Sequence, residues 1–189
     1  MLRVANGDQE CFRVLLEKHR NAVVHFLYRM VQERPVSEEL AQEVFLRIYK
    51  SRASYEPTAK FTTWMFRIAT HLALNWLRDE RHARAEIRLD GVRADDDRSG
   101  TLPPREVPDR KPSAEQRMVS EARLREIRDA IAMLPEKQRA AVLMHKYEEM
   151  EYSQIAVVLE SSESAVKSLL FRAYETLRSR LAHMVTGAA

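Results

Sequence analysis

Ser164, Lys167, Ser168, Phe171 and Arg172 are spaced so that a helix gathers them on one face. Small hydroxyls, two cations and an aromatic ring on one helical surface suit phosphate oxygens and base edges in a duplex major groove. Such a face needs a stiff support, and its neighbours supply one. Val166, Leu170, Ala173 and Leu177 return every three or four positions on the opposite side. Upstream, Ser153-Gln154-Ile155-Ala156-Val157-Val158-Leu159 reads as a shorter helix with Ile155, Ala156 and Leu159 turned inward. Glu160-Ser161-Ser162 is the break between the two, with Ser162 or Ser164 as N-cap of the second helix. The pattern is that of a helix-turn-helix, although an ordinary helical hairpin with a solvated basic face shares it. Charge leans toward the first reading. Four basic residues stand against one acid from Ala165 onward, and three against six between Pro135 and Ser164.

A second set lies earlier in the chain. Arg67, His71, Asn75 and Arg78 form one ridge on a helix predicted from about Phe61 to Arg81. Trp64, Met65, Ile68, Ala69, Leu72 and Trp76 fill that helix's inner side. Arginine and asparagine make bidentate base contacts well. The preceding loop, Tyr55 to Phe61, has aromatic residues at both ends and Lys60 beside the second, the combination that stacks and tracks single-stranded nucleic acid. Trp64 reads as core; for Tyr55 and Phe61, core and surface roles stay open.

A third feature is Leu46. The helix predicted from Glu38 to Lys50, capped by Ser37, has a complete apolar stripe in Leu40, Ala41, Val44, Phe45, Ile48 and Tyr49. Leu46 lies outside it, beside Glu39, Gln42, Glu43, Arg47 and Lys50. A single exposed leucine is usually plain surface; it is also what the apolar centre of a small docking face looks like.

The supporting elements are helical. Four glycines in 189 residues, with 45% hydrophobic and 31% charged side chains, leave little room for tight hairpins, and no strand-like alternation of useful length appears. Cys11, Phe12, Leu15 and Leu16 begin a periodic run that continues through Val23, Phe26, Leu27 and Met30. Between Arg117 and Met133 an amphipathic helix is expected, with Leu124, Ile127, Ile131 and Leu134 inward, and Pro135 opens the next. Residues 83–114 hold four of the seven prolines and the run Asp95-Asp96-Asp97, with few large apolar side chains. Such a stretch cannot offset its ordering entropy by burial and reads as a flexible tether. The expected architecture is therefore all-α: a domain over 1–82, a linker over 83–114, and a helix-turn-helix domain over 115–189.

Net charge is +3, and all of it belongs to residues 1–82, since the linker and the second domain each balance to zero. Nucleic-acid binding must then use local basic faces. The lone Cys11 forms no intramolecular disulfide, which suits a reducing compartment. No stretch reaches the roughly 18 apolar residues of a membrane span, and the N-terminus lacks the apolar core of a signal peptide. A cytoplasmic protein is expected. The six histidines are scattered, with no metal-ligand spacing and no glycine-rich phosphate loop, so neither enzyme nor cofactor is indicated.

In this order the pieces resemble a bacterial sigma factor of the sigma-70 family, the short two-domain extracytoplasmic-function type. Ser37-Glu38-Glu39-Leu40-Ala41-Gln42-Glu43-Val44-Phe45 is similar to the family's polymerase-binding helix, and Phe61-Thr62-Thr63-Trp64-Met65-Phe66-Arg67-Ile68-Ala69 to its promoter-melting helix. Leu134-Pro135-Glu136-Lys137-Gln138-Arg139 opens the second domain in the family manner, and Ala165-Val166-Lys167-Ser168 matches the start of its recognition helix. Ala165 and Leu169 stand where Thr and Arg are usual, Glu160 where the turn commonly has Gly, and Thr70-His71 where Arg-Asn is frequent. The resemblance implies that Glu39, Gln42, Glu43 and Leu46 dock on core RNA polymerase. It implies that Lys60, Phe61, Arg67, His71, Asn75 and Arg78 bind and melt the −10 promoter element, and that Ser164, Lys167, Ser168, Phe171 and Arg172 read the −35 element as duplex. It also implies an anti-sigma partner and a linker threading through polymerase, with no small-molecule substrate. The nearest competitor is a helix-turn-helix regulator with an unrelated helical sensing domain, which leaves the Leu46 face and the aromatic loop unexplained.

Overall fold

The computed structural model describes the backbone of residues 1–89 and 114–186 and the side chains of residues 1–86 and 121–184. Among these residues every regular element is helical, and no strand occurs. The first unit comprises α1 (Leu2–Ala5), α2 (Gln9–Val31), α3 (Arg34–Lys50), a 3-10 turn (Arg52–Ser54) and α4 (Phe61–Leu89). The second comprises α5 (Ala114–Ala132), α6 (Glu136–Tyr147), α7 (Tyr152–Val158), α8 (Glu163–Arg180) and α9 (Ala182–Thr186).

In α2 the Asp8 carboxylate accepts the Cys11 backbone N–H at 2.9 Å, satisfying one of the orphan donors at the helix start. That bond holds the Asp8 carboxyl below its ordinary range. Gln32 ends the helix in the left-handed conformation, φ 62. The periodic residues then bury as their spacing requires: Val23, Phe26, Leu27 and Met30 are at most 1% exposed, and Phe26 meets Phe66 of α4 edge-on at 5.2 Å. Truncating such a phenylalanine to alanine costs about 3–5 kcal/mol, so this contact is a main tie between α2 and α4.

Three helix expectations need correction. Ser37 does not cap α3. The helix starts a turn earlier at Arg34, Glu33 occupies the N-cap, and Pro35 sits in the first turn, where a missing N–H costs nothing. Ser37 is instead fully buried and donates its hydroxyl to the Arg34 carbonyl at 2.7 Å. The helix begun at Phe61 continues to Leu89, seven residues into the stretch expected to be linker, because residues 83–89 contain neither glycine nor proline. At its other end Ala114 already belongs to α5, and residues 90–113 of that expectation lie outside the described residues. Third, Leu124 is 52% exposed. Residues 121–125 are all exposed, so among the described residues this turn of α5 has no buried side.

The two units pack on each other: α7 lies against α4 and α6 against α2, and their buried residues form one continuous cluster. Polar contacts cross the seam. Arg81 pairs with Glu136 at 3.0 Å, Arg139 donates to the Met30 carbonyl, and the Arg29 guanidinium lies 4.1 Å from the centre of the Tyr147 ring.

Candidate nucleic-acid interface

The helix-turn-helix forms from α7 and α8. Gln154 accepts the Glu151 backbone N–H at 3.0 Å in a capping box that starts α7, and Ser162 accepts the Ala165 N–H at 3.2 Å to start α8. Ile155, Ala156, Leu159, Val166, Leu170 and Ala173 are buried, and Leu177 is partly so. This stripe turns Ser164, Lys167, Ser168, Phe171 and Arg172 outward, and all five are exposed, Phe171 by 69%. Ser168 donates to the Ser164 carbonyl at 3.1 Å, and Arg172 Nε to the Ser168 carbonyl at 3.2 Å, which aligns the guanidinium along the helix. Glu160, at the turn position where glycine is usual in the resembling family, is left-handed at φ 49. A side chain pays strain there that glycine avoids.

The ridge on α4 is also present. Arg67, Asn75 and Arg78 are exposed and His71 is half-exposed. It is not open to solvent along its whole length, however. Glu160 Oε1 lies 2.6 Å from Arg67 and 3.7 Å from His71, a pairing across 93 positions of sequence. The Arg67 hydrogen bond and charge keep the Glu160 carboxyl below the ordinary carboxylate range.

The loop aromatics form a cluster of tilted rings. The Tyr55 ring lies 4.9 Å from Trp64, Phe61 lies 6.2 Å from Trp64 and 5.4 Å from His19, and all four side chains are partly buried. Burial lowers the His19 pKa. Lys60 is exposed beside them. A polar cleft of about 560 Å³ opens next to this cluster, its lining including Arg47, Ser54, Tyr55, Thr58, Trp64 and Arg67. Sequence reasoning missed Arg47, Ser54 and Thr58. The signal was the cluster of small hydroxyl residues around the 3-10 turn, which belongs to no periodic stripe.

Leu46 is 45% exposed beside exposed Glu39 and Gln42, while Glu43 pairs with Arg47 at 2.7 Å. These residues do not stand alone. Phe12 and Leu16 of α2, with Phe45, Leu46 and Tyr49 of α3, line an apolar groove of about 530 Å³ edged by Gln42. The Phe12 and Tyr49 rings are 4.9 Å apart. The contribution of α2 went unread because Phe12 and Leu16 fit its core periodicity, yet both remain only half-buried.

The chain as a whole is similar to several known proteins. The family description for sigma-70 region 2 matches residues 15–83, and that for sigma-70 region 4 matches residues 124–177. The chain is 30% identical over 185 residues to the RNA polymerase sigma factor CarQ of Myxococcus xanthus, covering 97% of both proteins. It is 27% identical over 183 residues to the ECF RNA polymerase sigma-E factor of Escherichia coli K12, covering 97% of this chain and 93% of that protein. Two solved structures share the fold. The sigma factor RpoE of Bartonella quintana, in complex with the anti-sigma factor NepR, superposes with a TM-score of 0.68 at 20% identity, over 92% of this chain and 98% of that one. CnrH, in complex with the cytosolic domain of CnrY, gives 0.65 at 16% identity, over 99% and 95%. By these matches the chain belongs to the sigma-70 family, in its ECF group, and is a transcription initiation factor that directs RNA polymerase to promoters.

Proposed function

We propose a division of labour between the two units. The first, residues 1–82, docks on core RNA polymerase and melts the −10 element. The second, residues 115–189, reads the −35 element as duplex, and residues 83–114 connect them. The observation that carries this reading is the outward presentation of Ser164, Lys167, Ser168, Phe171 and Arg172 above a buried stripe, on the second helix of a helix-turn-helix. A helix so backed enters a major groove without rearranging.

Docking uses Leu46 with Glu39, Gln42 and Glu43, and the groove beside them accepts an apolar helix edge from the polymerase. Lys60, Phe61, Arg67, His71, Asn75 and Arg78 hold the unpaired strand, and the cleft beside Trp64 receives an extruded base. The chemistry of RNA synthesis stays with polymerase, and this chain needs no cofactor. A cytoplasmic site of action fits these partners, and among the described residues no helix is long and apolar enough to cross a membrane. An anti-sigma partner is proposed by analogy with the two solved complexes.

Run-off transcription with core polymerase on a pool of genomic fragments tests the reading. The expected result is a set of specific transcripts that require this chain. A transcript pattern identical with and without it would overturn the assignment.

A further inference from the structure

Glu160 takes no part in the surfaces assigned so far, yet three observations meet on it. Its backbone is left-handed, a strained conformation for a residue with a side chain. Its carboxylate leaves the helix-turn-helix and crosses to the other unit, seating one oxygen between Arg67 and His71. The helix just before it, α7, packs on α4. A carboxylate between an arginine and a histidine offers the negative charge and oxygen acceptors that a nucleic-acid phosphate would bring there.

We propose that Glu160 is an internal phosphate mimic, an autoinhibitory latch that occupies the single-strand surface of α4 while the duplex-reading face of α8 stays open. The inference rests on the reading of the α4 ridge as a nucleic-acid surface. Arg67 cannot give the same N–H to Glu160 and to a phosphate, so single-strand binding competes with the closed arrangement. Contact through Lys167 and Phe171 does not, because both are exposed in that arrangement. An order of events follows: duplex contact first, strand capture only once the units part. One further charged contact supports the same seam, the Arg81–Glu136 pair. Both members of the Arg67–Glu160 pair are about half-exposed, so water screens them. The latch therefore shifts the closed–open balance by about two- to fivefold and does not lock it. The shared apolar cluster supplies the remaining cohesion.

Glu160→Gln is the test, since it keeps the size and backbone preference of the side chain and removes its charge. The full chain is titrated at low salt against a labelled random-sequence single-stranded DNA of about 16 nucleotides, and against the same sequence as duplex. Single-strand affinity should rise by about two- to fivefold, with duplex affinity unchanged. In an Arg67→Ala background the same substitution should add nothing. Unchanged single-strand affinity overturns the latch, as does an equal rise for both probes or a rise that persists without Arg67, each a general charge effect. Arg67→Ala alone separates the two levels of inference. If it leaves single-strand binding intact, the ridge assignment itself is wrong. If it weakens binding while Glu160→Gln has no effect, only the latch is wrong.

Discussion

Leu170 and Phe171 are neighbours in sequence with opposite environments, and truncating each in turn separates folding from DNA reading in α8. Leu170 is 2% exposed in the stripe it shares with Val166 and Ala173. Leu170→Ala removes packed methyl groups and leaves a cavity, at a cost of about 2–5 kcal/mol. Phe171 is 69% exposed. With about 200 Å² of accessible surface on a phenylalanine, about 60 Å² is covered in the free chain, and losing it costs at most about 1.5 kcal/mol. The other ~140 Å² is available to a DNA groove. Covering half of it contributes about 1.7 kcal/mol, or close to twentyfold in affinity. Urea unfolding of the chain and promoter competition by polymerase assembled with each variant measure the two effects. Phe171→Ala should weaken promoter binding by about twentyfold with a small change in unfolding midpoint. Leu170→Ala should lower the midpoint and, corrected for the folded fraction, bind normally. Wild-type promoter affinity in Phe171→Ala, or a loss of stability matching that of Leu170→Ala, would refute the outward-reading assignment.

Three further outcomes are expected. Leu46→Asp should cost core-polymerase binding about 2 kcal/mol or more, as for an apolar interface anchor, with thermal stability unchanged; undiminished competition with the wild type for core enzyme would remove the docking face. His71→Ala with Asn75→Ala should impair transcription from duplex promoters and recover on templates with a pre-opened bubble, where unstacking is already complete; equal defects on both templates would reassign these residues to packing or duplex contact. Lys167→Ala and Arg172→Ala should each reduce the salt slope of −35 duplex binding by about 0.9 if they touch phosphate, and relax preference at one base pair if they touch a base; unchanged affinity in both variants would take α8 off the DNA.

Much of the helical framework was legible because burial follows a period near 3.6, as in the Val166, Leu170 and Ala173 stripe. The same logic located Leu46 and the α4 ridge as residues left over from complete stripes. At Glu160 the resemblance left two outcomes open, a strained backbone or an altered turn, and the φ of 49 is the first of these. Boundaries fared worse. Ser37 has the right chemistry for a cap, but Pro35 fits the first turn and lets α3 begin before it. Leu124 obeys the apolar spacing of α5, yet it is 52% exposed in a turn whose five residues 121–125 are all exposed. The seam between the units was not readable at all. Its charged contacts join residues such as Arg67, on the α4 ridge, and Glu160, in the turn before α8, and no local pattern announces a partner 93 positions away.

Arg139 shows how such a seam can be undone without damage. Its guanidinium donates to the Ala132 and Leu134 carbonyls at the end of α5 and to the Met30 carbonyl near the end of α2. Two of these acceptors belong to its own unit and travel with it when the units part. The arginine therefore keeps two of its acceptors, and the Met30 carbonyl exchanges its donor for water. The Arg139 charge is not left without partners by the separation, and leaving a buried charge so is what makes a charged interface hard to open. At this contact the second unit's helix end stays satisfied from within that unit, while the end of α2 turns to water.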